Sequence, residues 1–198
     1  MILICSAHCD DLEFAAGATV KKYLDNGLEI QAAIMSDAST IPGNENIQNE
    51  LNASMKAFDI PYNTYRFETM WFHKYYQEIR DQIFKLKQEF KPDTVICPSI
   101  NATHPDHKIV GEACRSIFLE QSVLHFEDVR GNHNQLINYW ESITEDQLSF
   151  KLQVLGNYTS QFKRKYFDFK GIEALALSRG LQIGVKLAEG FEVGRIIK

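Results

Sequence analysis

A chain of 198 residues, 44% of them hydrophobic, can bury one substantial core and is short for two ordinary domains, so a single domain over residues 1–198 is expected. The formal charge of -5 gives no electrostatic footprint for a nucleic acid polymer, although Lys163-Arg164-Lys165 forms a local basic patch. No apolar run reaches the length of a membrane span and no leader-like segment opens the chain, which makes a cytoplasmic protein the expectation.

The first apolar run, Ile2 to Cys5, reads as a strand that empties into His8-Cys9-Asp10-Asp11. Leu12 to Asn26 follows with Phe14, Ala15, Ala18, Val20 and Leu24 at helical spacing and closes at Gly27, a good C-terminal cap. Glu29 to Met35 is a second strand ending at Ser36-Asp37, followed by a polar loop with proline and glycine that is expected to border a pocket. Helices are expected over Asn46 to Phe58 and over Tyr75 to Phe90, the latter with Ile79, Ile83, Leu86 and Phe90 facing inward. Thr94 to Cys97 is the next strand, and it empties toward His104-Pro105-Asp106-His107.

Beyond Leu119 the pattern changes to short strands at Ser122 to Glu127 and Leu136 to Tyr139, helices at Glu145 to Tyr158 and Lys170 to Arg179, and a final strand at Leu187 to Ile197. The expected architecture is α/β. Residues 1–120 form a Rossmann-like, mostly parallel sheet with helices on both faces, and 121–198 a C-terminal extension wrapped on the same core and supplying substrate contacts. No GxGxxG follows the first strand, so a nicotinamide cofactor is not implied. The four cysteines show no CxxC spacing and are read as reduced thiols, with Cys9 filling the pocket floor in preference to binding a metal.

Ligands of an open parallel sheet bind outside the carboxyl ends of its strands, so the two histidine-carboxylate clusters should meet in one crevice. Either cluster alone could be an ordinary helix cap or a hydrogen-bonded core histidine. Together, each following a parallel strand, they point to a metal-dependent hydrolase. His8 and Asp11 lie three residues apart across a strand-to-helix turn, and His107 completes a set of three ligands that leaves a position for water, as catalytic zinc requires. Nitrogen and oxygen ligands also tolerate iron, cobalt or manganese. Asp10, beside a ligand but free of the metal, is placed to act as general base. His104, one helical turn before His107, would face the oxyanion, with Asp106 available to orient it or keep it protonated. His73, His125 and His133 lack such context and are read as structural or exposed, the last two as weak candidates for the pocket rim.

The segments Ala7-His8-Cys9-Asp10-Asp11 with Glu13 and Gly17-Ala18-Thr19, then His104-Pro105-Asp106-His107, resemble the LmbE-like family, also called PIG-L deacetylases. Lys91-Pro92-Asp93, Tyr158-Thr159-Ser160-Gln161, Ser178-Arg179-Gly180 and Ala188-Glu189-Gly190-Phe191-Glu192 extend the resemblance over nearly the whole chain. The last of these looks like a bacterial branch associated with surface polysaccharides. The resemblance implies an LmbE-like fold and a zinc-dependent N-acetylsugar amidase in which His8, Asp11 and His107 bind zinc, Asp10 is the base and His104 stabilises the oxyanion. The chain departs from the family pattern at Cys9, Leu12 and Leu187, where proline, glutamate and tyrosine are usual. It also lacks the family's arginine around Ile47 to Asn49.

The expected activity is hydrolysis of an acetyl group from an N-acetylated amino sugar, free or linked to a nucleotide, a lipid or another conjugate. Trp71, Phe72 and Trp140 are candidate stacking faces for the sugar ring. Rival readings keep the metal and change the amide, for example to N-formyl, or keep the cluster in a sugar-binding protein without turnover. A homo-oligomer is compatible with all of them.

Overall fold

Alternation along the first strand sends Ile2 and Ile4 to one face of a sheet and Leu3, Cys5 and Ala7 to the other. The next strands divide likewise, with Ile30, Ala32, Ile34 and Ile96 on the first face and Ala33, Met35, Val95 and Cys97 on the second. Strands apolar on both faces must be covered on both, which is the condition that produces a parallel sheet between helical layers. The computed structural model describes residues 1–131 and 133–197 and meets that condition.

Its elements are β1 (Ile2–His8), α1 (Asp11–Asp25), β2 (Ile30–Ser36), α2 (Ile47–Phe58), β3 (Tyr62–Thr64), α3 (Tyr76–Phe90), β4 (Thr94–Cys97), α4 (Pro105–Ile117), β5 (Ser122–Phe126), β6 (Tyr139–Ser142), α5 (Glu145–Leu155), α6 (Phe169–Gln182) and β7 (Ala188–Arg195). The sheet order is β3-β2-β1-β4-β5-β7-β6. The first five strands run parallel, and β7 and β6 join antiparallel at one end. Leu12, Ala16 and Val20 of α1, Leu51 and Met55 of α2, and Leu155 of α5 cover one face, while Ile79 and Ile83 of α3 and Val110 and Ala113 of α4 cover the other. Each such buried aliphatic side chain contributes ~1.5–3 kcal/mol.

The expected α/β sheet is therefore present, with differences of detail. β1 runs on to His8, which pairs with Ser36 of β2. Gly27, at φ 74°, lies just past the end of α1 as expected. The edge strand β3 was not anticipated, because Tyr-Asn-Thr has no apolar alternation and is only half-buried. β6 starts at Tyr139, where pairing with Phe191 begins, and Leu136 stays exposed ahead of it. No helix among the described residues is long and apolar enough to cross a membrane.

The extension is latched to the core through buried polar groups. The stem of Lys151 lies over Gly17, and its ammonium meets Glu189 of β7 at 2.5 Å, both side chains being only 5% exposed. Glu189 also accepts from the Ala18 and Thr19 N–H groups of α1, at 3.3 and 2.7 Å. Tyr158, fully buried, donates to Glu13 of α1 at 2.8 Å, and the same carboxylate accepts from Ser54 of α2. Thr159 and Ser160 close on Glu50 of α2 at 2.6–2.9 Å. The motif residues of the C-terminal third thus hold α1 and α2 in place.

Removing one charge of a buried pair strands the other, whereas an exposed pair is nearly dispensable. Glu189→Gln is expected to lower unfolding free energy by ~3–5 kcal/mol, and Glu145→Gln, which loses only its exposed pair with Lys186, by less than about 1 kcal/mol. Urea titration of both variants measures the contrast.

Candidate functional site

Strands β1 and β4 are parallel neighbours, with Ile4 opposite Ile96, and the strand order reverses direction between them. α1 leaves β1 over one face of the sheet and α4 follows β4 over the other, which opens a crevice at the carboxyl ends. Asp10 makes the turn out of β1 in the left-handed region, at φ 75° and ψ -21°. That turn brings Asp11, the first residue of α1, back against the strand end, where its Oδ2 accepts the N–H groups of Ala7 at 3.0 Å and His8 at 2.9 Å. Its Oδ1 then lies 3.3 Å from His107 Nε2.

On the facing side His104 caps α4. Its Nδ1 accepts the Asp106 N–H at 3.2 Å, and Pro105 occupies the first helical position. The first turn of α4 carries Asp106 and His107 into the crevice. His8 Nε2 donates to Asp106 Oδ2 at 2.9 Å, and His107 Nδ1 donates to Asp128 Oδ2 at 3.1 Å. Asp106 is fully buried and is itself held by the Met70 and Phe72 N–H groups, at 2.6 and 3.3 Å. With both outer nitrogens donating to carboxylates, the inner nitrogens His8 Nδ1 and His107 Nε2 face each other at 3.3 Å. Donors around one tetrahedral zinc at ~2.0–2.1 Å lie about 3.3 Å apart. The two imidazoles and Asp11 Oδ1 offer donor types that suit a metal, and His107 Nε2 lies 3.3 Å from each of the other two donors.

His104 is a third imidazole in this cluster. Its ring lies 4.8 Å from those of His8 and His107, and one ring nitrogen of each residue lies within 4.8 Å of the others, so His104 is a rival of Asp11 for a metal. The helix cap argues for a different use, because an Nδ1 that accepts a backbone N–H puts the proton of the neutral ring on Nε2. A donor then faces the crevice.

Charge follows this geometry. Burial works against a cation at His107, but the charge and hydrogen bond of Asp11 and those of Asp128 outweigh it and hold His107 up to about 10. Burial likewise opposes the Asp11 anion, and His107 and His8 overcome it to hold Asp11 at about 2. His104 is pushed down to about 4 by burial and by the charges of its two histidine neighbours, so it is neutral at pH 7. Asp10 moves the other way. Burial, then the charges of Asp11 and Glu13, push it well above the usual carboxylate range, while Arg164 and His107 pull against the shift. Among the described residues no hydrogen bond holds the Asp10 carboxylate, which lines a cavity of about 380 Å³ together with His8, Asp11, His104, His107 and Asp128.

Several expectations need correction. Asp106 does not orient His104 through its carboxylate, which reaches under His8; only its backbone N–H meets His104. Of the three aromatic candidates, Phe72 is fully buried, and Trp71 and Trp140 do not line the cavity. Its aromatic walls are Phe14, Phe126 and Tyr166. The thiol of Cys9 points to the carbonyls of Ser36 and Asp37, and burial followed by the charge of Asp10 pushes its pKa up, so it remains a thiol. His125 is a core residue whose Nδ1 meets the Pro98 carbonyl at 2.7 Å, and His73 and His133 are exposed. Asp128 was missed, although Glu127-Asp128 directly follows the strand at 122–126 and so reaches the same crevice.

The chain is thus a mostly parallel α/β domain whose switch-point crevice gathers three histidines that could hold a metal ion. Within that class the chain belongs to the PIG-L family, whose model, described as GlcNAc-PI de-N-acetylase, matches residues 3–118. Solved structures share the fold. An N,N'-diacetylchitobiose deacetylase from Pyrococcus horikoshii superposes with a TM-score of 0.81 at 21% identity, over 97% of this chain and 82% of that one. A teicoplanin deacetylase in its zinc-inhibited form gives 0.81 at 17%, over 97% of each chain. A 4-carboxy-2-hydroxymuconate hydratase from Pseudomonas putida gives 0.74 at 14%, over 100% of this chain and 98% of that one. Deacetylases and a hydratase on one fold show that the fold alone does not choose the reaction.

If Asp128 fixes the tautomer of a metal-binding His107, Asp128→Asn should weaken zinc affinity about 10–100-fold without unfolding the chain. Competition with a chromophoric chelator reads the affinity, and unchanged affinity would remove Asp128 from this role.

Proposed function

We propose that this chain hydrolyses the N-acetyl group of an amino sugar, with His8, Asp11 and His107 holding a divalent ion, zinc in the first instance, Asp10 as general base and His104 as oxyanion donor. The observation that carries this reading is the pair of inner imidazole nitrogens 3.3 Å apart, each ring fixed by a carboxylate on its outer nitrogen. In the metal-free site His107 carries the proton that lies between these two nitrogens at pH 7, and a cation held by both rings would take its place. Membership of the PIG-L family and the likeness in fold to two deacetylases support the choice of substrate.

When bound, such an ion supplies Lewis acidity, polarising the amide carbonyl and lowering the pKa of water from 15.7 toward about 7. The chain's own residues do the rest. Asp10, whose affinity for protons is raised, takes the proton of the attacking water as the water oxygen bonds to the carbonyl carbon. His104, neutral and with its N–H directed by the helix cap, donates to the oxygen that gains charge. Asp10 then returns the proton to the sugar nitrogen as the C–N bond breaks, so acetate and a primary amine leave. Asp106 and Asp128 keep the two rings from turning.

Incubating the zinc-loaded protein with N-acetylhexosamines should release equal amounts of acetate and primary amine. Asp10→Asn should lower kcat by roughly 10²–10⁴ while zinc content stays the same. Formate in place of acetate would mark the N-formyl rival, and binding without any product would mark a sugar-binding protein.

Metal and proton compete for His107. Because the metal-free ring is held up to about 10, it carries a proton at pH 7 that zinc must displace. Zinc affinity should therefore fall about tenfold per pH unit as pH drops below that value, with about one proton released per ion at pH 7. Calorimetry in buffers of different ionisation enthalpy counts that proton, and zero release would contradict the assignment of His107.

A further inference from the structure

The cavity carries two cations that the reaction above leaves unused. Arg130, two residues beyond Asp128, lies over the ring of Tyr166 with its guanidinium carbon 4.3 Å from the centroid. Arg164 reaches the same cavity from the loop before α6. Asp11 and Asp128 also line it but are engaged by His107, Glu127 is engaged by Arg179, and Asp10, which feels the charge of Arg164 without pairing to it, is the base of the proposed reaction. Among the described residues neither Arg130 nor Arg164 forms an ion pair within 4.0 Å, although Arg66 and Arg179 both do.

Arg130, although exposed, is carried on a half-buried ring that packs against Phe14 at 6.1 Å and Phe167 at 6.4 Å. A guanidinium offers N–H groups in a fork that matches two oxygens of a carboxylate or phosphate. Arg130 over Tyr166 and Arg164 together form a second recognition element beside the aromatic wall, in the cavity that holds the histidines. The helix at Ile47 to Phe58 supplies no arginine; the C-terminal third and the loop after β5 supply both.

We infer that Arg130 and Arg164 bind an anionic group, phosphate or carboxylate, on the part of the substrate that leaves as the amine, so that the preferred substrate is an acidic N-acetylamino sugar or conjugate. This rests on the deacetylase reading for its reaction but not for its binding chemistry. The acetyl group sits at the histidines, the sugar ring lies along Phe14 and Tyr166, and the anion closes on the two arginines.

The test measures binding of products, which needs no turnover, beside turnover of the acetylated forms. Glucosamine, glucosamine 1-phosphate, glucosamine 6-phosphate and muramic acid are titrated into zinc-loaded wild type, Arg130→Gln, Arg164→Gln and the double variant, and kcat/KM is measured for the four N-acetyl counterparts. At least one acidic sugar should bind about tenfold or more tightly than glucosamine to wild type, and in the double variant that ratio should fall to about unity. Arg130→Lys should recover only part of it, because an ammonium keeps the charge and loses the fork. Phosphate and carboxylate sources are separated by which acidic sugar is preferred. Failure of every acidic sugar to outbind glucosamine, or a preference that survives in the double variant, overturns the inference. Arginine-dependent binding without any deacetylation would sink the proposed reaction and leave the anion site standing; deacetylation with no acidic preference would do the reverse.

Discussion

Two imidazoles that turn their inner nitrogens toward each other at 3.3 Å impose the constraint from which most of this site follows. A cation must lie between them, the His107 proton in the metal-free site or a metal ion that replaces it, and the arrangement persists only if each ring is prevented from rotating. Asp106 and Asp128 prevent that rotation from opposite sides, each by accepting the outer N–H. Each acceptor is anchored in turn, Asp106 by the N–H groups of Met70 and Phe72 and Asp128 by that of Gly131. Backbone from the segment before α3 and from the loop after β5 thereby fixes the side chains that fix the ligands. A rigid donor set of this kind avoids the ordering cost a flexible one would carry on binding an ion.

The sheet supplies the distances. His8 ends β1, His107 lies in the first turn of α4 after β4, and Asp128 follows β5, so three adjacent parallel strands each deliver one part. A shift of one residue in the β1–β4 register would move His8 by a strand residue of ~3.3 Å, as large as the ligand separation itself, and would invert the faces of the strand. Buried alternation on both faces of β1 forbids that shift. The distant latch serves the same end, because Glu189 and Lys151 hold α1, and the first residue of α1 is Asp11.

What could be read in the sequence was what is local to it. Apolar runs emptying into His8-Cys9-Asp10-Asp11 and His104-Pro105-Asp106-His107 disclosed strands, crevice and clustered histidines, because strand ends and parallel order are enough to bring them together. Side-chain pairings across the crevice were not legible. Asp106 stands beside His104 in sequence yet serves His8, since a first-turn residue on α4 points away from the capping side chain. Asp128 lies 21 residues from His107, and nothing local joins them. Aromatic character likewise failed to tell wall from core: Phe72 packs against the His8 ring from within at 5.8 Å, while Tyr166 reaches the cavity from a segment read only as a basic loop.

The hydratase on the same fold sharpens what must decide the reaction. Adding water to a carbon–carbon double bond and hydrolysing an amide both need water made nucleophilic and a base to take its proton. Amide hydrolysis also needs a proton delivered to a departing nitrogen and a donor for an oxyanion that exists for one step. Asp10 is suited to the first need because its carboxyl, raised by burial and by Asp11 and Glu13, holds a proton that an ordinary aspartate would release. His104 is suited to the second because its cap hydrogen bond and its depressed pKa leave it a neutral donor at pH 7. Both properties arise from the same crowding: carboxylates gathered behind Asp10 and imidazoles gathered beside His104. The arrangement that makes the centre attractive to a cation thus also tunes the two residues that would act beside it.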